Sequence, residues 1–195
     1  GNIEFNFNLW KREMSLKRKA FIKNNLPSFY YRHYHSEHFW WDNNLAKEFK
    51  TRIEGSFEIP SWGTRISAGF ENVKNYTYIA NESLPVDAAG RYLWRLKATQ
   101  AKKDIQIFSA TLKQDFKFGV FNLNTEVTYQ HSSNKDILPL PMINAYANLF
   151  FKFRIAKVLN TEIGADARYF TEYYAPDYSP ALGQFVQQNP INKIA

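Results

Sequence analysis

Apolar residues occupy every second position through most of residues 142–169, and this alternation constrains the fold more than any other sequence feature. It runs over residues 143–155, pauses at residues 156–158 and resumes over residues 161–169. Successive side chains of a strand point to opposite faces, whereas a helix would spread these apolar residues around its axis. The segment therefore predicts a β-hairpin with one apolar and one charged face, whose arms are roughly twice the usual strand length.

The same alternation recurs along the chain and predicts about eight strands. Besides the two arms of this hairpin, they cover residues 2–9, 15–23, 45–59, 64–75, 104–118 and 121–130. Residues 92–98 are a further strand candidate that the pattern does not place. The sequence therefore predicts an all-β chain, in which residues 1–195 form one region built as a long antiparallel meander.

Connections of two lengths alternate along this predicted meander. Short turns at residues 11–14, 60–63, 119–120 and 156–158 alternate with long loops at residues 24–44, 76–103, 131–141 and from 170 onward. Outer-membrane barrels have short periplasmic turns and longer external loops, whereas soluble sandwiches have no reason to sort their connections this way. The lengths therefore predict a transmembrane antiparallel β-barrel, or a sector of a larger barrel, with its long loops outside the cell.

The composition fits such a wall and argues against several other classes. Hydrophobic residues make up 45% of the chain, yet the mean hydropathy is −0.48, and no apolar run approaches the ~20 residues of a membrane helix. Aromatic residues at 17% suit the interfacial girdles of a barrel, and the absence of cysteine excludes disulfides and thiolate metal sites. The net charge of +7 does not indicate nucleic-acid binding, because basic and acidic residues interleave along each strand.

Strand charges keep mainly to the face opposite the apolar one, with Arg18 and Lys47 as the exceptions. A Lys or Arg on the lipid face at the bilayer midplane costs ~2–4 kcal/mol, so a lipid-facing wall requires this sorting, although a soluble sandwich also shows it. The polar-face residues predicted to line a pore are Lys50, Arg52, Glu54, Arg65, Glu71, Lys113, Asp115, Lys117, Glu126, Lys152, Arg154, Glu162, Asp166 and Arg168. Because both signs occur, strong ion selectivity is not expected.

Four stretches of the sequence resemble the putative porin family of Bacteroidetes outer membranes. They are HYHSEHFWWDNN (33–44), SATLKQDFKFGVFN (109–122), VTYQHSSNKDILPLP (127–141) and GADARYFTEYYAPDYSPALGQF (164–185). The resemblance implies an outer-membrane β-barrel of a Gram-negative bacterium with channel function, through which small polar solutes diffuse passively. Family members are longer than this chain, so the chain is expected to be a fragment of the barrel wall.

The richest cluster of possible metal ligands is His33, His35 and His38, with Glu37 and Asp42 nearby. Imidazoles at this spacing beside carboxylates suit zinc, copper or nickel. The favoured interpretation is nevertheless a rim loop whose aromatic residues pack at the membrane interface and whose histidines are merely polar. Neither a metal nor a cofactor is therefore expected.

Catalysis is not predicted either. Glu54 and Glu58 lie four residues apart on one strand face, a separation of ~13 Å at ~3.3 Å per residue. Catalytic carboxyl pairs lie ~5–9.5 Å apart. Neither a glycine-rich phosphate loop nor a serine–histidine–acid arrangement stands out, so the chain is not expected to be an enzyme.

Two other classes of protein stay open. One is an outer-membrane structural or interaction barrel within a larger complex, whose loops bind partners. The other is a soluble β-sandwich or lipocalin-like binding protein. For the favoured channel, the expected partners are outer-membrane lipid and small polar solutes. A homo-oligomer or a membrane-complex partner also fits, and nucleic acid is not expected.

Overall fold

The computed structural model describes residues 1–9, 11–84 and 93–187, and its elements are almost all strands. In chain order they are β1 (Asn2–Leu9), β2 (Arg12–Asn25), a short helix α1 (Phe29–Arg32), β3 (His33–His35), β4 (Trp40–Asp42), β5 (Glu48–Ile59), β6 (Thr64–Lys74), β7 (Thr77–Leu84), β8 (Leu93–Gln100), β9 (Ile105–Phe118), β10 (Phe121–Ser132), β11 (Ile143–Ile155), β12 (Leu159–Phe170), β13 (Asp177–Ser179) and β14 (Gln184–Val186). A 3₁₀ turn at Pro60–Trp62 joins β5 to β6. Within the described ranges, no helix is long and apolar enough to cross a membrane.

Eight of the strands form one antiparallel sheet in the order β1-β2-β5-β6-β9-β10-β11-β12. Each strand pairs antiparallel with the one before it in this order, as expected of the predicted meander. The all-β fold and the eight-stranded meander are therefore confirmed. The sheet is not closed into a barrel, because β1 and β12 are its two edges in the part of the chain that is described.

The two ends of this sheet differ as the connection lengths predict. Short turns join β1 to β2, β5 to β6, β9 to β10 and β11 to β12 at one end, which we call the turn end. The longer connections all lie at the other end, the cap end. At the turn end Gly63 has a φ of +64°, and a Cβ there would lie 2.6 Å from the Asp115 carbonyl oxygen. Glycine alone tolerates both conditions, so Gly63 lets this turn pack closely against β9.

The first turn is shorter than the sequence predicts. Arg12 already pairs with Leu9, so most of the turn predicted over residues 11–14 belongs to β2. Lys11 adopts a φ of 60°, which reverses the chain within fewer residues. Met14 is 4% exposed within the strand. This part of the prediction was wrong because the charged residues of this stretch suggested a solvated turn.

Three of the predicted long loops contain secondary structure. Residues 24–44 contain α1 and the β3–β4 hairpin, and residues 76–103 contain the β7–β8 hairpin. The strand candidate at residues 92–98 is confirmed from Leu93 onward, whereas residue 92 lies outside the described residues. A third hairpin, β13–β14, follows β12. We call α1 together with these three hairpins the cap.

The cap has its own hydrophobic core. Its buried residues are Trp41, Ile79, Ala98, Leu182 and Val186, which come from all three hairpins or their turns. The Trp41 indole N–H donates to the Tyr30 carbonyl at 3.0 Å, and the Tyr30 hydroxyl donates to the Leu182 carbonyl at 3.2 Å. Buried aromatic residues whose polar atoms find partners favour one specific arrangement. The cap is therefore a packed unit rather than a set of independent loops.

Candidate functional site

One face of the sheet is apolar and is left uncovered by the rest of the described chain. Register places apolar residues opposite one another, such as Leu149 of β11 opposite Leu123 of β10. The exposed fraction is 60% for Ile53, 51% for Ile66 and 60% for Ile163. Apolar patches of this extent mark contact with a membrane or a partner.

Three cations of the described strands lie on this apolar face. Arg12 lies at the turn end, with its guanidinium carbon 5.1 Å from the centroid of the Trp62 ring. Lys74 lies at the cap end of β6, and Arg18 lies near the middle of β2. On a lipid-facing wall a Lys or Arg costs ~0–1 kcal/mol near the interfaces and ~2–4 kcal/mol at the midplane. On such a wall Arg18 would be the cation that conflicts with lipid, while Lys47 lies before β5 rather than in it.

The opposite face of the sheet carries most of the charges, and all the residues predicted to line a pore lie on it. Strand register aligns them: Arg65 on β6 lies opposite Lys113 on β9, which lies opposite Glu126 on β10. The sequence thus predicted which residues share this face. Only the register shows which of them are neighbours.

A row of mostly charged side chains crosses six strands on this face, and we call it the charged row. Its members, from β5 to β12, are Glu58, Arg65, Lys113, Glu126, Tyr146 and Arg168. The Arg65 guanidinium lies 2.8 Å from a Glu58 carboxylate oxygen, and the Lys113 ammonium lies 2.7 Å from Glu126. Arg65 and Lys113 are adjacent cations, and each pairs with a carboxylate on the side that faces away from the other cation.

An aromatic contact ends the charged row at β12. The Arg168 guanidinium carbon lies 5.2 Å from the centroid of the Tyr146 ring. A cation over a tyrosine face is attracted by the ring quadrupole, and the contact holds the long Arg168 side chain against the sheet. Arg168 thus has a defined place on the wall without a carboxylate in the row beside it.

A cleft of about 460 Å³ opens beside the charged row at the turn end. Glu58, Arg65, Lys113, Asp115 and Tyr146 contribute to its lining. It therefore offers acceptors, cations and one aromatic ring at the same place. Such a lining suits a small polar solute rather than an apolar one.

Other charges on this face are also paired across or along strands. Arg52 lies between two carboxylates, 2.8 Å from Glu54 and 3.3 Å from Glu71. The Lys152 ammonium lies 3.1 Å from Glu162. Exposed pairs of this kind contribute only ~0–1 kcal/mol each, so their main effect is on the local field rather than on stability. Neighbouring charges of opposite sign keep that field mixed along the wall.

Sequence reasoning did not include two members of the charged row, Glu58 and Tyr146, among the pore-lining residues. Both occupy the same alternate positions as the predicted charges of their strands, so the period of two was the available signal. Tyr146 is uncharged, so a prediction based on charged residues does not include it. Its role is visible only once Arg168 is known to lie opposite it.

The histidine cluster is divided between the strands and the connection of the β3–β4 hairpin. His33 Nδ1 lies 2.5 Å from an Asp42 carboxylate oxygen on the neighbouring strand. His35 lies beside Trp40, with ring centroids 6.3 Å apart, and His38 lies in the connection. Within residues 1–9, 11–84 and 93–187, no group of three or more His, Cys, Asp or Glu side chains could hold a metal ion.

An eight-stranded antiparallel meander with one apolar and one charged face defines an all-β protein whose sheet has two chemically different faces. The family model described as "Putative porin" matches residues 1–195, and the chain therefore belongs to the putative porin family. The family resemblance of the sequence is thus confirmed over the whole chain. No curated protein matches the chain, and no solved structure matches it.

Proposed function

We propose that the chain forms part of the wall of an outer-membrane channel through which small polar solutes diffuse passively. The observation that carries the proposal is the complete separation of the predicted pore-lining charges from the uncovered apolar face. The apolar face would meet lipid and the charged face would line water, as in membrane barrels. Membership of the putative porin family supports the same function, and the proposal assigns no catalytic step to the chain.

The proposed setting is the outer membrane of a Gram-negative bacterium, which the sequence resemblance suggests belongs to the Bacteroidetes. The turn end would face the periplasm and the cap would lie outside the cell, because membrane barrels have short periplasmic turns and longer external loops. The β5–β6 end of the charged row would then lie near the periplasmic mouth, since the cleft there includes residues of the turn that begins at Pro60. The β11–β12 end would lie towards the cap, because Tyr146 and Arg168 are near the cap ends of their strands.

Conductance of the full-length protein in planar lipid bilayers tests the channel function. We expect discrete current steps whose size follows salt concentration, with weak ion selectivity because the wall pairs both signs of charge. Lys113→Glu, which reverses the charge at this position, should make the channel more selective for cations. The change should be visible as a shift of the reversal potential in a salt gradient. Folded, membrane-inserted protein that carries no current would contradict the proposal.

A second candidate is a structural or interaction barrel, and the packed cap is the observation that favours it. A cap with its own core offers a rigid surface for a partner. Membrane insertion without conductance would support this candidate. Recovery as a folded monomer without detergent would instead favour a soluble β-sandwich or lipocalin-like binding protein.

A further inference from the structure

We propose that a membrane-embedded segment of another protein covers the apolar face around Arg18 and carries a carboxylate that pairs with it. This inference goes beyond channel function and rests on the membrane setting proposed for the sheet. It starts from Arg18 because, of the cations on this face, Arg12 and Lys74 lie at strand ends while Arg18 does not.

Arg18 lies deep in the proposed membrane span. It is roughly 20 Å along the strand from either end of β2 at ~3.3 Å per residue. The apolar band of a membrane barrel is roughly 25 Å tall and its strands are tilted by roughly 35–45°, so a residue midway along β2 lies near the middle of that band rather than at an interface. It is exposed, and it has no hydrogen bond or ion pair with any described residue. A charge at this depth calls for a partner of opposite sign.

The surroundings of Arg18 leave room for such a partner. Its cross-strand neighbours on the same face are Ile3 and Gly55, and Leu16 and Ala20 flank it along β2. Register runs unbroken through Gly55, so no bulge explains this glycine. A Cβ at Gly55 would meet nothing within 4 Å. Glycine inside a strand often marks the place where another backbone approaches closely.

The chemistry of the apolar face selects the kind of partner. The described strands place no Asp or Glu on this face, so a second copy packed through it would oppose two Arg18 side chains without a counter-charge. Acidic lipid headgroups lie at the interfaces rather than at the depth of Arg18. A different polypeptide with an Asp or Glu near mid-membrane satisfies both the charge and the depth.

Photo-crosslinking in native host cells tests the inference. A benzophenone amino acid replaces Ala20, beside Arg18, and in a matched control it replaces Ala147 on the same face of β11. We expect one discrete protein adduct from position 20, with an Asp or Glu in the cross-linked peptide, and lipid adducts from position 147. Arg18→Gln should lower the adduct yield at least about tenfold, because the partner carboxylate loses its counter-charge. Lys17→Gln, on the opposite face, should leave the yield unchanged.

The outcomes separate this inference from the channel proposal. Restored cross-linking when Arg18→Glu is combined with an acid-to-Arg change in the partner would support the pair directly. A yield unaffected by Arg18→Gln, lipid adducts alone at position 20, or an adduct with another part of the same full-length chain or with a second copy of it would overturn the inference. In those cases lipid adducts at position 147 would still support the proposal that the sheet is a membrane wall. Their absence would overturn both proposals.

Discussion

Phe150 and Gly164 lie opposite each other on β11 and β12, and a Cβ at Gly164 would come within 2.5 Å of the Phe150 Cβ. The same atom would lie 2.6 Å from the Leu149 carbonyl oxygen. The Phe150 ring also lies 5.6 Å from the Lys152 ammonium. Because Gly164 has no side chain, there is room for Phe150 among the charged residues of the polar face.

Gly164→Ala should destabilise the sheet, because both the Phe150 side chain and the backbone of β11 must shift to admit a methyl group. We expect a loss of about 1–3 kcal/mol in the free energy of unfolding, measured by urea titration in detergent micelles. Gly55→Ala is the matched control, since its Cβ meets nothing within 4 Å. That change should be neutral or stabilising by up to about 1 kcal/mol. Equal losses in both variants would contradict this steric explanation.

Leu149 and Lys152 lie on opposite faces of β11, so charge changes at the two positions should differ. Leu149→Arg should cost ~2–4 kcal/mol if Leu149 faces acyl chains near mid-bilayer. Lys152→Leu should cost only ~0–1 kcal/mol, because it removes an exposed ion pair. It should also shift the reversal potential of the reconstituted channel, because one positive charge leaves the wall. An unchanged reversal potential would argue against a pore-lining role for Lys152.

Trp41 and Trp40 are neighbours with opposite environments, and they test whether the cap is a packed unit. Trp41 is 5% exposed and Trp40 is 73% exposed. Trp41→Ala should cost about 3–5 kcal/mol of cap stability through the lost core contacts. Limited trypsin digestion of the membrane-inserted protein should then cut faster after Arg32 and Lys47. Trp40→Ala should leave the cleavage rate near that of the wild type, and equal acceleration in both variants would contradict a specific core.

The cap should loosen in alkali because of Tyr30. Burial, together with the neighbouring Tyr34 and Tyr31, raises the pKa of Tyr30 from 10.0 to about 12. A pKa that is higher in the folded state gives stability that is complete below pH 10 and is lost as pH rises towards 12. Trypsin sensitivity of the cap should therefore increase over this range. The Tyr30→Phe variant has no hydroxyl to ionise at this position, so its trypsin sensitivity should increase only at higher pH. If the pH dependence of trypsin sensitivity is the same in both proteins, Tyr30 is excluded as its cause.

Accessibility on intact cells tests the orientation of the sheet. An epitope tag in the connection of the β3–β4 hairpin, next to His38, should be labelled from outside. A tag at Ser61, in the short turn after β5, should be labelled only after the outer membrane is opened. Labelling of the Ser61 tag on intact cells would show that the cap faces the periplasm.

The sequence was sufficient for the wall because a period of two is a direct consequence of strand geometry. Alternation from Ile143 to Ile155 identified both the strand β11 and its two faces, and the structure confirms both. The turn at Pro60–Trp62 was equally readable, since Pro and Gly63 supply the required backbone angles.

The cap could not be predicted in the same way. β3 and β4 contain three residues each, too few for any period to appear. The core that holds them joins Trp41 to Ile79 and Val186, which are far apart in sequence. The pairing of residues along the charged row could not be predicted from the sequence for a related reason. Alternation gives the face of a residue such as Arg65, but only register gives its neighbours.

The composition of the cap core has a consequence for the order of folding. Its buried residues lie before β5, between β6 and β9, and after β12, so the core is complete only when the last wall strand has been made and placed. Contacts of such large sequence separation form late, because the intervening chain must be ordered first. Protection of Trp41 from solvent during refolding should therefore appear after the hairpins of the wall. The cap core therefore forms only after the sheet is complete, and its formation is the last step of folding.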